Sequence, residues 1–177
     1  IATPTGLHAA QALQAVQAGV RGICCEKPLA TNLADGRRVV AACRDGGAAL
    51  IVNHQRRMGA DLVEARRLIA AGALGELLVM RGSCAGDLLS DGTHLVDSLL
   101  WLAGDEPVDW VMGQIHREPG SPGEDASGAS GFRYGHAVET GCLAAVRLQS
   151  GLRLELATGS LRPEGRFYQD YEVVGTR

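Results

Sequence analysis

Aromatic side chains are scarce in this 177-residue chain, at 4% of residues. No apolar stretch approaches the roughly 20 residues that a membrane-spanning helix needs. So few aromatics argue against a surface on which nucleic-acid bases stack. The chain also has no excess of positive charge, since its formal net charge is −3. We therefore expect neither a nucleic-acid partner nor a membrane partner.

The five cysteines include no C-x-x-C motif, and the vicinal pair Cys24 and Cys25 does not suit an ordinary structural disulfide. Their number is odd, and most of them lie in apolar runs. This pattern favours reduced thiols in a cytoplasmic protein. The hydrophobic content of 46% and the charged content of 21% are typical of a soluble globular protein with a sizeable core.

Short apolar runs alternate with helical patterns in the first third of the chain. The first residues resemble the tail of a strand that leads into a helix over 7–18, capped by Thr5. Strands are predicted over 23–25 and 48–54. Between them a helix begins after Asn32, which with Asp35 three residues later resembles a capping box. Uniformly apolar strands that alternate with helices favour a parallel sheet with helices on its faces.

The rest of the chain has a different pattern, in which helices and strands lead to an antiparallel hairpin. In order, the predicted elements are a helix over 60–71, a strand over 76–83, a helix over 91–103, a strand over 107–116, a mobile Gly/Ser/Pro-rich loop over 117–136, hairpin strands over 142–149 and 152–157 joined by the two-residue turn Ser150–Gly151, and a last strand-like run. The predicted fold is therefore α/β: the C-terminal half of a Rossmann-type nucleotide-binding domain (1–58), followed by an α+β domain with a mainly antiparallel sheet (59–177).

Polar residues follow three predicted strands at their carboxyl ends, in the segments "TPTGLH", "EKP" and "NHQRR". Open α/β sheets bind their ligands at this edge. A later segment, "LLSDGTHLVD", carries Gly92, His94 and Asp97. In this order the four elements resemble the Gfo/Idh/MocA oxidoreductases, the relatives of glucose–fructose oxidoreductase and inositol dehydrogenase. The resemblance covers the chain from its start to about residue 116 and is weaker through the hairpin.

The resemblance implies that Lys27 is the catalytic acid/base beside the nicotinamide and the substrate hydroxyl. A desolvated ammonium near a positively charged nicotinamide has a lowered pKa, which suits proton exchange with an alcohol. Glu26 is expected to orient Lys27. Thr3, Pro4 and His8, together with Glu26 and Lys27, are the expected cofactor-binding residues. The alternative interpretation of Lys27 is a solvated side chain that opens a loop.

By the same resemblance, His94 is the active-site histidine that binds or deprotonates the substrate hydroxyl. The family usually carries an acid four residues before this histidine, where the present chain has Ser90. Asp91 either takes that catalytic and substrate-binding role or only caps the helix. Arg57 is a substrate-binding candidate, although an interdomain salt bridge explains it equally well. No metal site is expected, because neither a cysteine nor a second histidine lies near Asp91, His94 and Asp97.

The implied function is an NAD(P)-dependent oxidoreductase that interconverts a secondary alcohol and a ketone on a sugar, cyclitol or similar polyol. A non-catalytic ligand- or partner-binding member of the same fold is the alternative. A G-x-G-x-x-G fingerprint is absent from these 177 residues, so NAD and NADP are not distinguished. We expect the chain to be an internal piece of a longer protein, inactive by itself. The intact protein is expected to form a homo-oligomer through the C-terminal sheet.

Overall fold

The computed structural model describes residues 1–117, 132–133 and 136–177. These residues fall into two compact units. The first comprises residues 1–54 with the described residues of 132–138, and the second comprises 55–117 with 139–177. Among the described residues, no helix combines the length and the apolar character needed to cross a membrane. The division predicted after residue 58 stays a prediction.

The first unit alternates helices and strands. A 3-10 turn over Thr5–Leu7 precedes its regular elements, which are α1 (His8–Gln17), β1 (Gly22–Glu26), α2 (Leu33–Asp45) and β2 (Ala49–Asn53). Strands β1 and β2 pair in parallel, with Gly22 opposite Ala49 and Glu26 opposite Asn53, as the uniformly apolar runs predict. Two further strands of two residues each, β5 (Phe132–Arg133) and β6 (His136–Ala137), pair antiparallel.

The core of the first unit lies between α1, α2 and the two parallel strands. Its buried side chains are Ala12, Ile23, Cys25, Val39, Cys43 and Ala48. The Asn32 side chain accepts a hydrogen bond from the Asp35 amide at 2.9 Å, which confirms the predicted start of α2. The predicted Thr5 cap is wrong. Thr5 lies inside the 3-10 turn, and α1 begins at His8 without a side-chain cap bond.

The second unit is built on a sheet that carries helices. After a 3-10 turn over Gln55–Met58, its elements are α3 (Ala60–Ala70), β3 (Leu77–Cys84), α4 (Gly92–Leu102), β4 (Val108–His116), β7 (Gly141–Leu148), β8 (Arg153–Gly159) and β9 (Gln169–Gly175). The strand order is β4-β7-β8-β3-β9. Only the β3–β8 pair is parallel among the pairs described in this sheet, and the others are antiparallel. This arrangement confirms the predicted fold class.

Helix α4 packs against β3 and β8 and buries Leu95, Leu99 and Leu102. Alternate residues of the hairpin strands, such as Leu148 and Leu154, complete the same core, as the period of two predicts. The hairpin connection is longer than predicted, since β7 ends at residue 148 and β8 begins at 153. The loop predicted over 117–136 lies mostly outside the described residues.

Candidate active site

Two parallel strands of the first unit end side by side and bring polar side chains to one edge. Glu26 ends β1 and Asn53 ends β2, and the two residues are register partners. The Asn53 side-chain amide donates to Glu26 Oε1 at 2.6 Å. The carboxylate of Glu26 is therefore oriented by the neighbouring strand, at the edge where open α/β sheets bind ligands.

Lys27 follows Glu26 directly, where β1 has ended. The residue is half-buried, and its peptide bond to Pro28 is cis. It is also the single lysine of the chain. An amine at this edge of the sheet has the chemistry to give a proton to a substrate oxygen or to take one from it.

His8 connects the two segments that flank this edge. Its side chain is 1% exposed, with Nδ1 2.8 Å from the Pro28 carbonyl oxygen and Nε2 2.8 Å from the Thr3 carbonyl oxygen. Carbonyl oxygens only accept, so the ring donates to both when it carries two N–H groups and to one of them as a neutral imidazole. Both ring nitrogens are thus occupied by protein atoms, and His8 holds the segments before α1 and after β1 together.

Thr3 and Pro4 are also held by local contacts. The Thr3 hydroxyl donates to Gln11 Oε1 at 2.9 Å, and the Pro4 carbonyl accepts from the Leu7 amide at 2.9 Å. Thr3, Pro4, His8, Glu26 and Lys27, the residues predicted to bind the cofactor, thus all belong to one unit. Their contact with a dinucleotide stays a prediction.

In the second unit, a turn joins the end of β3 to the start of α4. Asp87, which is 6% exposed, organises this turn. Its Oδ1 accepts from the Ser90 amide at 2.7 Å, and its carbonyl oxygen accepts from the amides of Asp91 (3.1 Å) and Gly92 (2.9 Å). The carboxylate of Glu139 accepts from the Leu88 amide at 2.5 Å. Oxygens of the buried Asp87 and the partly buried Glu139 therefore fix the backbone that leads into α4.

Asp91 occupies the N-cap position of α4, but its side chain makes no cap hydrogen bond. Asp87 Oδ1 instead accepts from the Ser90 amide, in the turn that precedes α4. His94 lies in the first turn of α4 and is 6% exposed. Residues three apart share a helix face, so Asp91 and His94 belong to the same face.

Arg57 is engaged by two carboxylates of its own unit. Its guanidinium donates to both oxygens of Asp97, at 2.8 and 2.7 Å, and to both oxygens of Asp105, at 3.3 and 3.0 Å. The Asp97 contact is the main reason that the pKa of Arg57 is raised. The salt bridge suggested for Arg57 exists, but it lies within the second unit. The substrate-binding role of Arg57 stays a prediction.

The pKa of the Cys84 thiol is affected by the charges near the end of β3. Its pKa is raised to about 11, first by burial and then by the carboxylate of Asp91, with a further contribution from Asp87. The Cys84 thiol also donates a weak hydrogen bond to the Gly86 carbonyl oxygen at 3.9 Å. The carboxylates of Asp87 and Asp91 therefore give the turn before α4 a local negative charge. Among the described residues, no group of three or more His, Cys, Asp and Glu side chains is arranged to hold a metal ion.

Comparison with known proteins identifies the family. Residues 1–54 match the family model for Gfo/Idh/MocA proteins, described as an oxidoreductase family with an NAD-binding Rossmann fold. Over 171 residues the chain is 30% identical to 1,5-anhydro-D-fructose reductase of Ensifer adhaerens. The chain belongs to the Gfo/Idh/MocA oxidoreductase family. The predicted resemblance is thereby confirmed.

Other similar proteins extend the likeness. The chain is 27% identical over 122 residues to scyllo-inositol 2-dehydrogenase (NADP(+)) IolW of Bacillus subtilis, a match that covers 59% of this chain and 34% of that protein. The WlbA dehydrogenase of Bordetella pertussis, solved in complex with NADH and UDP-GlcNAcA, aligns with a TM-score of 0.77 at 28% identity and covers 98% of this chain and 54% of that one.

The chain spans about half the length of the curated relatives that it matches. The Ensifer adhaerens reductase illustrates this, because the match covers 86% of this chain and 47% of the reductase.

Sequence reasoning missed several residues that shape these candidate site segments. Asn53 was placed at the sheet edge without a role, and Asp87, Gly86 and Glu139 were not considered. A signal for Asp87 was present, because an aspartate three residues before Ser90 has the spacing of an N-cap. Nothing in the sequence pointed to Glu139, which reaches Leu88 across 51 positions of the chain.

Proposed function

We propose that the complete gene product is an NAD(P)-dependent oxidoreductase that interconverts a secondary alcohol and a ketone on a sugar, cyclitol or similar polyol. The observation that carries the proposal is the edge formed by β1 and β2. There the chain's single lysine follows a glutamate that Asn53 orients at 2.6 Å. The family membership and the printed activities of the relatives support it.

Lys27 is the proposed acid/base. Oxidation of a secondary alcohol removes a hydride and a proton. When bound, NAD or NADP would provide the hydride acceptor. The proton passes from the substrate hydroxyl to the Lys27 amine, and ketone reduction runs the same transfer in reverse. Glu26 balances the ammonium form of Lys27, and Asn53 holds Glu26 in place.

The proposed cofactor side consists of the segment at Thr3 and Pro4 and the E-K-P segment. The residues present fit this role in part, because their polar groups converge on the ligand-binding edge of a parallel sheet. His8 acts here as a positioning residue, since both its ring nitrogens are engaged by carbonyl oxygens. The phosphate-binding glycine fingerprint is not among these 177 residues. We therefore expect the 177-residue chain to bind dinucleotide weakly or not at all.

His94 and Asp91 are the proposed substrate-side residues. Both lie on one face at the start of α4, and Asp91 is not used as a helix cap. A histidine and a carboxylate one turn apart can hold a hydroxyl between a donor and an acceptor. Arg57 contributes indirectly through Asp97 in the next turn. The five unpaired thiols support the proposed location in the cytoplasm.

The test is a panel of polyols and sugars screened with the complete gene product by NAD(P)H absorbance. We expect turnover on at least one polyol, and losses of about 100-fold or more for Lys27→Ala and for His94→Ala, the usual scale for acid/base groups. Arg38→Ala, at an exposed position on α2, is the control and should retain activity. Dinucleotide binding without turnover on any substrate would favour the non-catalytic alternative. Near-full activity of Lys27→Ala would make Lys27 a solvated loop residue.

A further inference from the structure

We propose that Gly86 and Asp87 are positioning residues that hold the Asp91 carboxylate at the start of α4. The inference deepens the proposed function and rests on the role given there to Asp91. It has two independent parts. One is a space that only glycine leaves open, and the other is a set of backbone hydrogen bonds made by one buried aspartate.

Glycine is required at position 86 because a side chain there would collide with Asp91, and not because of its backbone conformation. It does not have a left-handed φ, so any residue could adopt its backbone. A Cβ added to it would nevertheless lie 2.5 Å from Asp91 Cγ and 2.8 Å from Asp91 Cβ, and would overlap a carboxylate oxygen. Rotation of the carboxylate does not relieve this overlap, because Asp91 Cβ itself is too close. The Asp91 side chain therefore lies over Gly86, where any other residue would displace it.

Asp87 fixes the backbone from which Asp91 projects. Its carboxylate and carbonyl oxygens together accept from three consecutive amides, those of Ser90, Asp91 and Gly92. Ser90 lies in the turn before α4, and the amides of Asp91 and Gly92 at the helix N-terminus have no partner within the helix. Asp87 therefore fixes the turn and the first residue of α4, while the Asp91 side chain makes no cap bond to the helix.

The neighbourhood of Cys84 gives a second sign of where the Asp91 carboxylate lies. Cys84 ends β3, two residues before Gly86, and the charge of Asp91 is the largest charge effect on its thiol after burial. The carboxylate is therefore directed back towards the end of β3. Because Gly86 has no side chain, there is room for the carboxylate in this place. The turn that Asp87 organises fixes the backbone from which it projects.

The first experiment measures thermal unfolding of the 177-residue chain and requires no activity. Gly86→Ala should lower the melting temperature by several degrees in the wild-type background, because the added methyl group meets Asp91. In the Asp91→Gly background the obstacle is gone, and the same change should cost little or nothing. Glycine is tolerated at an N-cap, so that background should fold. Equal losses in both backgrounds would overturn the proposal.

Gly36→Ala is the matched glycine control. A Cβ at Gly36 meets no atom outside its own helix closer than 3.9 Å, so the change should not lower the melting temperature in either background.

The role of Asp87 is tested by the pair of variants Asp87→Asn and Asp87→Ala. The asparagine keeps the oxygen that accepts from Ser90, so this variant should melt nearly as the wild type does, whereas the alanine variant should melt at a lower temperature. If both variants lowered the melting temperature equally, the charge of Asp87 would be what matters, and this would contradict a positioning role.

The second experiment measures kcat and KM in the complete gene product. We expect Gly86→Ala to lower kcat at least tenfold, and Gly86→Ala/Asp91→Asn to be no worse than Asp91→Asn alone. Near-full activity of Asp91→Asn, with the expected losses for Lys27→Ala and His94→Ala, would overturn this proposal and leave the proposed function standing. Absence of oxidoreductase activity in the wild type would refute the proposed function, and the unfolding experiment would still judge the placement of Asp91.

Discussion

A single side chain, Arg57, joins three segments of the second unit. It follows the end of β2 and binds Asp97 inside α4 and Asp105 just beyond it. Arg66 of α3 reaches the same Asp105 at 3.9 Å and lies 4.5 Å above the Trp101 ring. These contacts secure the last turns of α4, and His94 lies one turn before Asp97. We therefore expect the position of His94, a proposed active-site residue, to depend on this ion-pair network.

Arg57→Ala should destabilise the 177-residue chain by about 1–3 kcal/mol, because it leaves the mostly buried Asp97 without its charged donor. Denaturation by urea measures this loss as a lower midpoint at unchanged slope. Arg38→Ala is the matched control. Its bridge to Asp35 is exposed and spans one helical turn, so the change should cost about 0.5 kcal/mol or less. Equal effects of the two variants would show that the Arg57 network contributes no more to the free energy of unfolding than an exposed ion pair does.

The buried thiol of Cys84 should make stability depend on pH in the alkaline range. Its pKa in the folded chain is about 11, above the ordinary value of 9.0. The folded chain therefore keeps a proton that the unfolded chain loses, and this contribution is fully present below pH 9.0 and is lost as the pH rises to about 11. Urea unfolding across that range should give a falling free energy of unfolding.

Cys84→Ala should make that decline shallower, whatever its effect on absolute stability. Cys24→Ala, at an exposed thiol, serves as the control and should leave the slope unchanged. Burial also raises the pKa values of Cys25, Cys142 and Tyr171, so part of the decline should persist in both variants. An unchanged slope in Cys84→Ala would contradict the prediction.

For single residues, the sequence predicted position in the fold better than contacts. The place of Glu26 and Lys27 at the sheet edge was predictable because a charged pair follows an apolar strand. The partners of Arg57 were not, since Asp97 and Asp105 lie 40 and 48 positions away. His8 was predicted to contact the cofactor, yet both its ring nitrogens meet carbonyl oxygens whose positions depend on the fold. Local sequence patterns do not predict contacts between residues so far apart in the chain.

At the scale of elements, the helices and strands of the described residues follow the predicted pattern closely. Asn32 shows why, because its side chain and the Asp35 amide satisfy a local rule that needs no tertiary information. The start of α1 shows the opposite case. Thr5 had the right residue type for a cap, but a 3-10 turn lies there and places α1 three residues later. The five-stranded order β4-β7-β8-β3-β9 depends on which strands meet in space, and no local pattern specified it.

Asn32→Ala tests the cap of α2. The variant loses the acceptor for the Asp35 amide and should destabilise the chain by about 1 kcal/mol. Asn32→Ser retains a side-chain oxygen and should recover most of the loss. Far-ultraviolet circular dichroism during urea unfolding measures both. If the serine variant were as unstable as the alanine variant, the hydrogen bond to Asp35 would not be the source of the effect.

At the scale of the whole molecule, the proposed homo-oligomer concerns one face of the five-stranded sheet. The face opposite α4 carries Arg81, which binds Glu155 at 2.7 Å and Glu172 at 3.1 Å. Glu155 is therefore already paired within its own sheet. Beside this charged row the same face exposes Leu143 and Met112. An apolar strip next to paired charges suits an isologous contact, in which each chain presents the same surface to its copy.

Strand β4 offers a matched pair of substitutions to test this contact. Met112 and Val111 are adjacent and similarly exposed, at 68% and 64%. Met112 is paired with Ala145 on the outer face, whereas Val111 is paired with Val146, which is buried in the core on the α4 side. Their side chains therefore point to opposite faces of the sheet.

We expect light scattering to find a dimer of the complete gene product. Met112→Asp should convert it to monomer, because a carboxylate would then enter an apolar contact without a partner. Val111→Asp should leave the dimer intact, since it changes the other face of the same strand. A monomeric wild-type protein at tens of micromolar would end the proposal. Dissociation by Val111→Asp but not by Met112→Asp would place the contact on the opposite face of the sheet.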